Sequence, residues 1–215
     1  MIKAVLFDLD GTFADTAPDL AAALNQVLIE EGEPALPFEI IRPVVSHGGN
    51  ALIRLGFNFN EQHADFERLK KRLLTIYQNN LSNLTTVFDG IKELLDTLES
   101  KQISWGIVTN KPAWLTDPLM EQMGYTNRAA TIVSGDTTQE SKPHPEPLFY
   151  ACREMSCQPS ECLYIGDAER DIIAGNSAGM TTITALFGYI EPNDTPENWG
   201  ADAMIEHPKE IESFL

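Results

Sequence analysis

Short apolar runs punctuate the chain, separated by longer stretches in which apolar residues recur every three or four positions. IKAVLF at 2–7 is a short β-branched run, and the apolar segments ISWGIVT at 103–109, TIVSG at 131–135, CLYIGD at 162–167 and TTITAL at 181–186 recur after it. They read as strands buried on both faces, which predicts a parallel α/β sheet with helices on either side. Helical spacing predicts the covering helices at roughly 90–100, 113–123, 146–156 and 170–179. PHPEP introduces the third of these, and the fourth ends near Gly179.

Residues 16–85 break this alternation, because about 70 residues of helical pattern follow the first strand where one crossover helix would do. The first helix there has Asp15 or Thr16 as N-cap candidates, Pro18 in its first turn, apolar Leu20, Leu24, Val27 and Leu28, and Gly32 beyond its end. FERLKKRLLTIYQNNL supplies a second, with Phe66, Leu69, Leu73, Ile76 and Tyr77 on one face. The expectation is a Rossmann-like parallel-sheet core at 1–15 and 86–215, with a helical cap domain inserted at 16–85. Leaving and re-entering the core near 13–16 and 82–88 suits a hinged lid.

Charge narrows the partners. Fifteen Lys and Arg against 32 Asp and Glu give a net charge of −17, which argues against nucleic acid or an anionic membrane. An anionic substrate would need a locally positive pocket. Cys152, Cys157 and Cys162 have neither zinc-site spacing nor a disulfide framework, so reduced, packed thiols are expected. With no charged-then-apolar leader before IKAVLF and no membrane-length apolar run, a cytoplasmic protein is expected. Trp105, Trp114 and Trp199 are expected to pack.

The candidate chemistry sits where strands end, the place at which open parallel sheets bind ligands. Asp8 and Asp10 in FDLDGTFADT follow the first strand, Thr109 and Asn110 end the second, Lys142 lies beyond the third, and Asp167 and Asp171 follow the fourth. Carboxylates gathered there repel one another unless a cation intervenes, and magnesium prefers such oxygen ligands. One aspartate is then free to act as nucleophile and its neighbour as acid and base. Extended geometry would point Asp8 and Asp10 to the same face. Thr109 and Asn110 can donate to phosphate oxygens, and Lys142 can stabilise growing charge. Singly, each has a plainer reading: turn residues, a helix cap at Asp171, a loop start, a solvated lysine. Their order along the chain favours function.

These residues resemble the four motifs of the haloacid dehalogenase superfamily, in its phosphatase branch with an inserted helical cap. FDLDGT is similar to the first, VTN to the second, Lys142 in SKPHPEP to the third and IGDAERD to the fourth. The resemblance implies Asp8 as nucleophile, Asp10 as acid and base, Thr109 and Asn110 as phosphate binders, and Lys142 as charge stabiliser. It also implies Mg2+ held by Asp8, the Asp10 carbonyl and Asp167, with Asp171 supporting the metal's waters and Lys142. Phe13 and Ala14 replace the usual aliphatic pair after DGT, which leaves the hinge packing open.

The implied reaction is hydrolysis of a small-molecule phosphate monoester. Similarity is greatest to phosphoglycolate phosphatase-like proteins, so 2-phosphoglycolate is the leading substrate. N-acetylmuramic acid 6-phosphate is the alternative, and a sugar phosphomutase uses the same groups. A dehalogenase is disfavoured by the second aspartate and the metal cluster; a non-catalytic binding protein would have lost one of these residues. In RPVVSHGGN, Arg42, His47 and Gly48 are candidate substrate contacts. A monomer or weak homodimer is expected.

Overall fold

The computed structural model describes all residues, 1–215. The elements are β1 (Ala4–Phe7), β2 (Ala14–Asp15), α1 (Ala17–Glu30), α2 (Phe38–Ile41), α3 (Gly48–Phe57), α4 (Phe66–Gln78), β3 (Thr86–Val87), α5 (Ile91–Ser100), β4 (Ser104–Val108), α6 (Ala113–Gln122), β5 (Thr131–Val133), α7 (Glu146–Glu154), β6 (Cys162–Gly166), α8 (Glu169–Ala178), β7 (Thr181–Ala185) and β8 (Ala203–Ile205). Six strands form one parallel sheet in the order β5-β4-β1-β6-β7-β8. The chain fills one side of β1 first and then crosses to the other, so the strand order reverses beside the end of β1. Asp8 emerges there.

Alternation along the strands supplies both faces of the sheet. Val5 and Phe7 of β1 join Ile107, Ile165 and Ile183 in a core that also takes Leu94 of α5 and Leu119 of α6. Ala4 and Leu6 point the other way, toward Val133, Tyr164, Leu148 of α7 and Ala174 of α8. The first of these cores continues into the helical layer through Phe13, Leu24, Leu28, Phe66 and Leu73. No helix is long and apolar enough to cross a membrane.

The junction between sheet and helices is built by two short strands that the sequence pattern does not announce. β2 and β3 pair antiparallel, Ala14 with Val87 and Asp15 with Thr86. Phe13 is fully buried, stacked on Trp105 at 5.6 Å and edge-on to Tyr125 at 5.2 Å. The unusual Phe-Ala pair therefore fills an aromatic pocket under the joint. Asp19 of α1, also buried, accepts hydrogen bonds from Leu84 N, Thr85 N and Thr85 Oγ1, which ties the returning chain to the departing helix.

Thr16 occupies the N-cap position of α1 without capping it. Its hydroxyl goes instead to Asp10, while Tyr189 Oη accepts from Ala17 N and donates to Asp15. Of the three tryptophans, Trp105 packs as expected, whereas Trp114 stays 43% exposed. β8 is a further difference: AMI is too short and too polar at its flanks to read as a strand.

Candidate active site

Extended geometry stops at Phe7. Beyond it the chain coils, with Phe13 N donating to the carbonyls of Asp8 and Leu9 and Ala14 N to that of Leu9. Asp8 and Asp10 are thus brought to one cavity by a turn and not by strand alternation. Gly11 permits that turn at φ 92°, and a Cβ there would collide with the Asp167 carboxylate.

Each of the two aspartates has its own lysine. Lys142 Nζ lies 2.8 Å from Asp8 Oδ1 and 2.7 Å from Asp171 Oδ1, and also donates to the Val108 carbonyl and Tyr164 Oη. Lys111 Nζ lies 2.8 Å from Asp10 Oδ1, which also accepts from Thr16 at 2.6 Å. The second oxygens of Asp8 and Asp10 accept no hydrogen bond from the protein. Repulsion between the pair is therefore relieved partly by separate ammonium groups, both buried.

Burial sets the charge balance. It pushes the Asp8 carboxyl above its usual range, against the pull of Lys142 and with the push of Asp171. Burial and the charges of Asp8 and Asp171 push Asp167 up to about 7. Burial alone would lower the Lys142 ammonium, but Asp171 and Asp8 outweigh it and hold it up. Lys111 is likewise held up by Asp10 and Tyr77 against its burial.

The carboxylates of Asp8, Asp167 and Asp171 lie within 4.8 Å of one another, all buried. An all-oxygen set with surplus negative charge fits a hard dication such as magnesium. Asp171 differs from the other two: both its oxygens are committed, to Lys142 and Tyr164 on one side and to Ala168 N on the other. Its place is that of a support for Lys142. Asp167 accepts from Thr12, Ser46 and Tyr189 N.

Thr109 and Asn110 line the cavity, yet the Asn110 side chain is turned to the Lys142 backbone, accepting from its N–H at 3.0 Å and donating to its carbonyl at 2.8 Å. It positions the Lys142 loop. His47 and Gly48 also line the cavity, with His47 Nε2 2.7 Å from Glu191. Arg42 does not. Its guanidinium donates to the carbonyls of Phe187 and Gly188 and stacks 4.9 Å over Tyr189, because those unpaired carbonyls offer it the planar double contact it favours. It clasps the helical layer to the sheet and lies outside the pocket.

Three contributors go beyond the sequence expectations. Lys111 carries Asp10 across to Tyr77 of α4, with 2.8 Å on the Tyr77 side as well. Arg170 lines the cavity facing Asp8, Asp167 and Asp171, and donates to the Ser46 carbonyl. Ser46 itself reaches Asp167 at 3.2 Å. Arg170 sits inside IGDAERD and Lys111 directly follows VTN, so their position was the available signal. Only the fold shows that they turn inward.

The cavity has a volume of about 830 Å³ and lies between the strand ends and α3 and α4. Asp8, Asp10, Thr109, Lys111 and Arg170 mark its sheet side; Val44, Leu55, Leu74, Arg54 and Lys70 come from the helical layer. The model of a haloacid dehalogenase-like hydrolase matches residues 5–185, which takes in every strand end just described. The chain belongs to the haloacid dehalogenase-like hydrolases. A relative from Pseudomonas putida, named N-acetylmuramic acid 6-phosphate phosphatase, is 40% identical over 100% of this chain and 96% of its own length. One from Xanthomonas campestris pv. campestris, named phosphoglycolate phosphatase, is 41% identical over 97% of this chain and 94% of its own. A crystal structure of a predicted phosphoglycolate phosphatase from Haemophilus somnus 129pt superposes with a TM-score of 0.87 at 27% identity, covering 99% of this chain and 97% of that one. This haloacid dehalogenase-like hydrolase is accordingly an enzyme of the phosphoric monoester hydrolase class.

Proposed function

We propose that the enzyme is a magnesium-dependent phosphomonoesterase whose substrate is a phosphorylated sugar bearing a carboxylate, of the kind the Pseudomonas putida relative's name specifies. The observation that carries the substrate reading is the cavity. About 830 Å³, with apolar Leu55 and Leu74 and cationic Arg54 and Lys70 on the helical side, suits an acetamido sugar acid. A two-carbon ester such as 2-phosphoglycolate would leave most of it to water. Residues 16–85 act as the cap that supplies this wall, over a core of 1–15 and 86–215.

In the proposed mechanism the phosphoryl group rests between Thr109, the Asn110 amide and Lys142. Asp8 Oδ2 attacks phosphorus in line, and the P–O bond to the leaving alkoxide breaks as the aspartyl-phosphate forms. Asp10 gives the alkoxide a proton, then takes one from the water that hydrolyses the intermediate. Lys111 and Thr16 fix Asp10 for both transfers, and Lys142 offsets charge at Asp8. Magnesium, held by Asp8, the Asp10 carbonyl and Asp167, would keep these carboxylates ionised and neutralise phosphate charge.

Metal dependence should show in stability. Because Asp167 is raised to about 7, the folded chain holds a proton there that the unfolded chain has already lost. Stability without metal should therefore fall as pH rises from about 4 to about 7. Magnesium, which needs the ionised form, should raise Tm more at pH 8 than at pH 5. Equal shifts at the two pH values, measured by thermal melts with and without magnesium, would count against a site at Asp167.

The substrate test is kcat/KM with magnesium for N-acetylmuramic acid 6-phosphate and 2-phosphoglycolate, scoring free phosphate and any isomer. At least about tenfold preference for the sugar ester is expected, the discrimination of roughly 1.4 kcal/mol that one good extra contact supplies. Preference for 2-phosphoglycolate would overturn the substrate reading alone. Isomer without phosphate would make the enzyme a mutase.

A further inference from the structure

A second cluster of metal-ligating side chains lies at the opposite end of β6 from Asp167. Cys152 is in α7, Cys162 begins β6, and Cys157 sits in the turn between them. The chain reversal between helix and strand brings the three thiols together: Cys162 Sγ is 3.3 Å from Cys157 Sγ and 3.8 Å from Cys152 Sγ. All three sulfurs lie within 4.8 Å of one another, and all three cysteines are buried and free.

Two thiolates on one tetrahedral ion at about 2.3 Å lie about 3.8 Å apart, so the observed spacing needs little adjustment to hold an ion. The cluster also has an approach. A cavity of about 380 Å³ opens beside it, lined by Cys152, Cys157 and Gln158 among others, which gives solvent access to a fourth coordination position. The thiols otherwise find only weak acceptors, the carbonyls of Cys152 and Gln158 at 3.9 and 3.3 Å. No imidazole or carboxylate is among the ligand atoms. Sulfur alone selects a soft or borderline ion over magnesium, and a dication leaves less net charge in the apolar surroundings of Ala151, Ala178 and Met180 than a monocation does.

We propose that Cys152, Cys157 and Cys162 form a three-thiolate site for a thiophilic d10 dication of the zinc type, with water or Gln158 as fourth ligand. Binding releases the thiol protons to solvent and changes no oxidation state. The site is separate from the catalytic carboxylates and joins the end of α7 to the start of β6.

Cadmium is the probe, added to the reduced enzyme with magnesium in excess. Thiolate-to-cadmium charge-transfer absorption should grow and saturate at about one equivalent per chain, and zinc should displace it. Asp8→Asn should leave the absorption unchanged. Cys157→Ser should reduce it to less than about a third while phosphate release persists, showing the fold intact. Should that variant fail to fold, zinc retained after gel filtration of the wild-type enzyme decides, with about one equivalent expected. No charge-transfer band in the wild-type enzyme, a band at full strength in folded Cys157→Ser, or zinc below about a tenth of an equivalent would overturn the site.

Discussion

Asp8→Asn should reduce kcat by at least about 10³-fold, the scale on which enzymes lose activity with their nucleophile, and leave no phosphoenzyme to trap. The amide is isosteric, so Lys142 keeps a partner at Asp8 Oδ1 and still holds Asp171, Val108 and Tyr164. What is lost is the negative oxygen, and an amide cannot form a mixed anhydride with phosphate. The fold should not suffer. Burial and Asp171 already hold the Asp8 carboxyl above its usual range. Its folded value exceeds its unfolded one, so ionising it as pH rises costs stability that the amide does not lose. In metal-free buffer the variant's Tm should equal or exceed the wild type's, increasingly so toward alkaline pH. Rapid-quench labelling together with thermal melts checks both parts; turnover near the wild-type level would remove Asp8 from the nucleophile's role.

Lys142→Met should damage both stability and rate. One ammonium group neutralises Asp8 and Asp171 and satisfies Val108 O and Tyr164 Oη, at a residue only 3% exposed. Removing it strands two buried carboxylates, a change that costs about 3–5 kcal/mol in comparable buried pairs. The loss should be smallest in acid, where Asp8, held above its usual range by burial, takes up a proton, and should grow as pH rises. On the kinetic side, losing a charge-stabilising donor should lower kcat by about 10²- to 10³-fold. Arginine should not rescue either property, because its planar fork cannot converge on four acceptors within 2.7–2.8 Å of one nitrogen. Denaturant melts across pH, with single-turnover rates, separate the two effects; a variant as stable at pH 8 as the wild type would refute this charge balance.

Much of the fold was legible because its signals are local. β1, β4, β6 and β7 fall within short, mostly buried segments cut off by turn residues, and α5 to α8 start and stop within two residues of the expected positions. β2 and β3 are two residues each, too short for any periodicity, and exist only because the chain's departure and return meet. The motif residues gathered as their order implied, although Asp8 and Asp10 converge through a coil that alternation does not describe. Arg42 shows the limit for side chains. A cationic residue in a glycine-rich loop reads as a ligand contact, but the carbonyls that claim it lie 145 and 146 residues away. The cysteines show the same limit, since a reversal of the backbone decides what spacings of five residues bring together.

Asp19 gives the helical layer a collar. Its carboxylate and the β2–β3 pair close the chain on itself within a few residues of where the helices leave and return. Closure of the intervening segment is thus settled at its neck, whatever lies between. Each doubling of such a segment adds only about 0.6 kcal/mol of closure entropy. The stretch between α1 and α4 can therefore change length at little closure cost; what ties it to the site is Ser46 at Asp167 and Arg42 on the Phe187 and Gly188 carbonyls. The neck at Asp19 is thus the point at which the length of the helical segment is decoupled from closure of the chain around it.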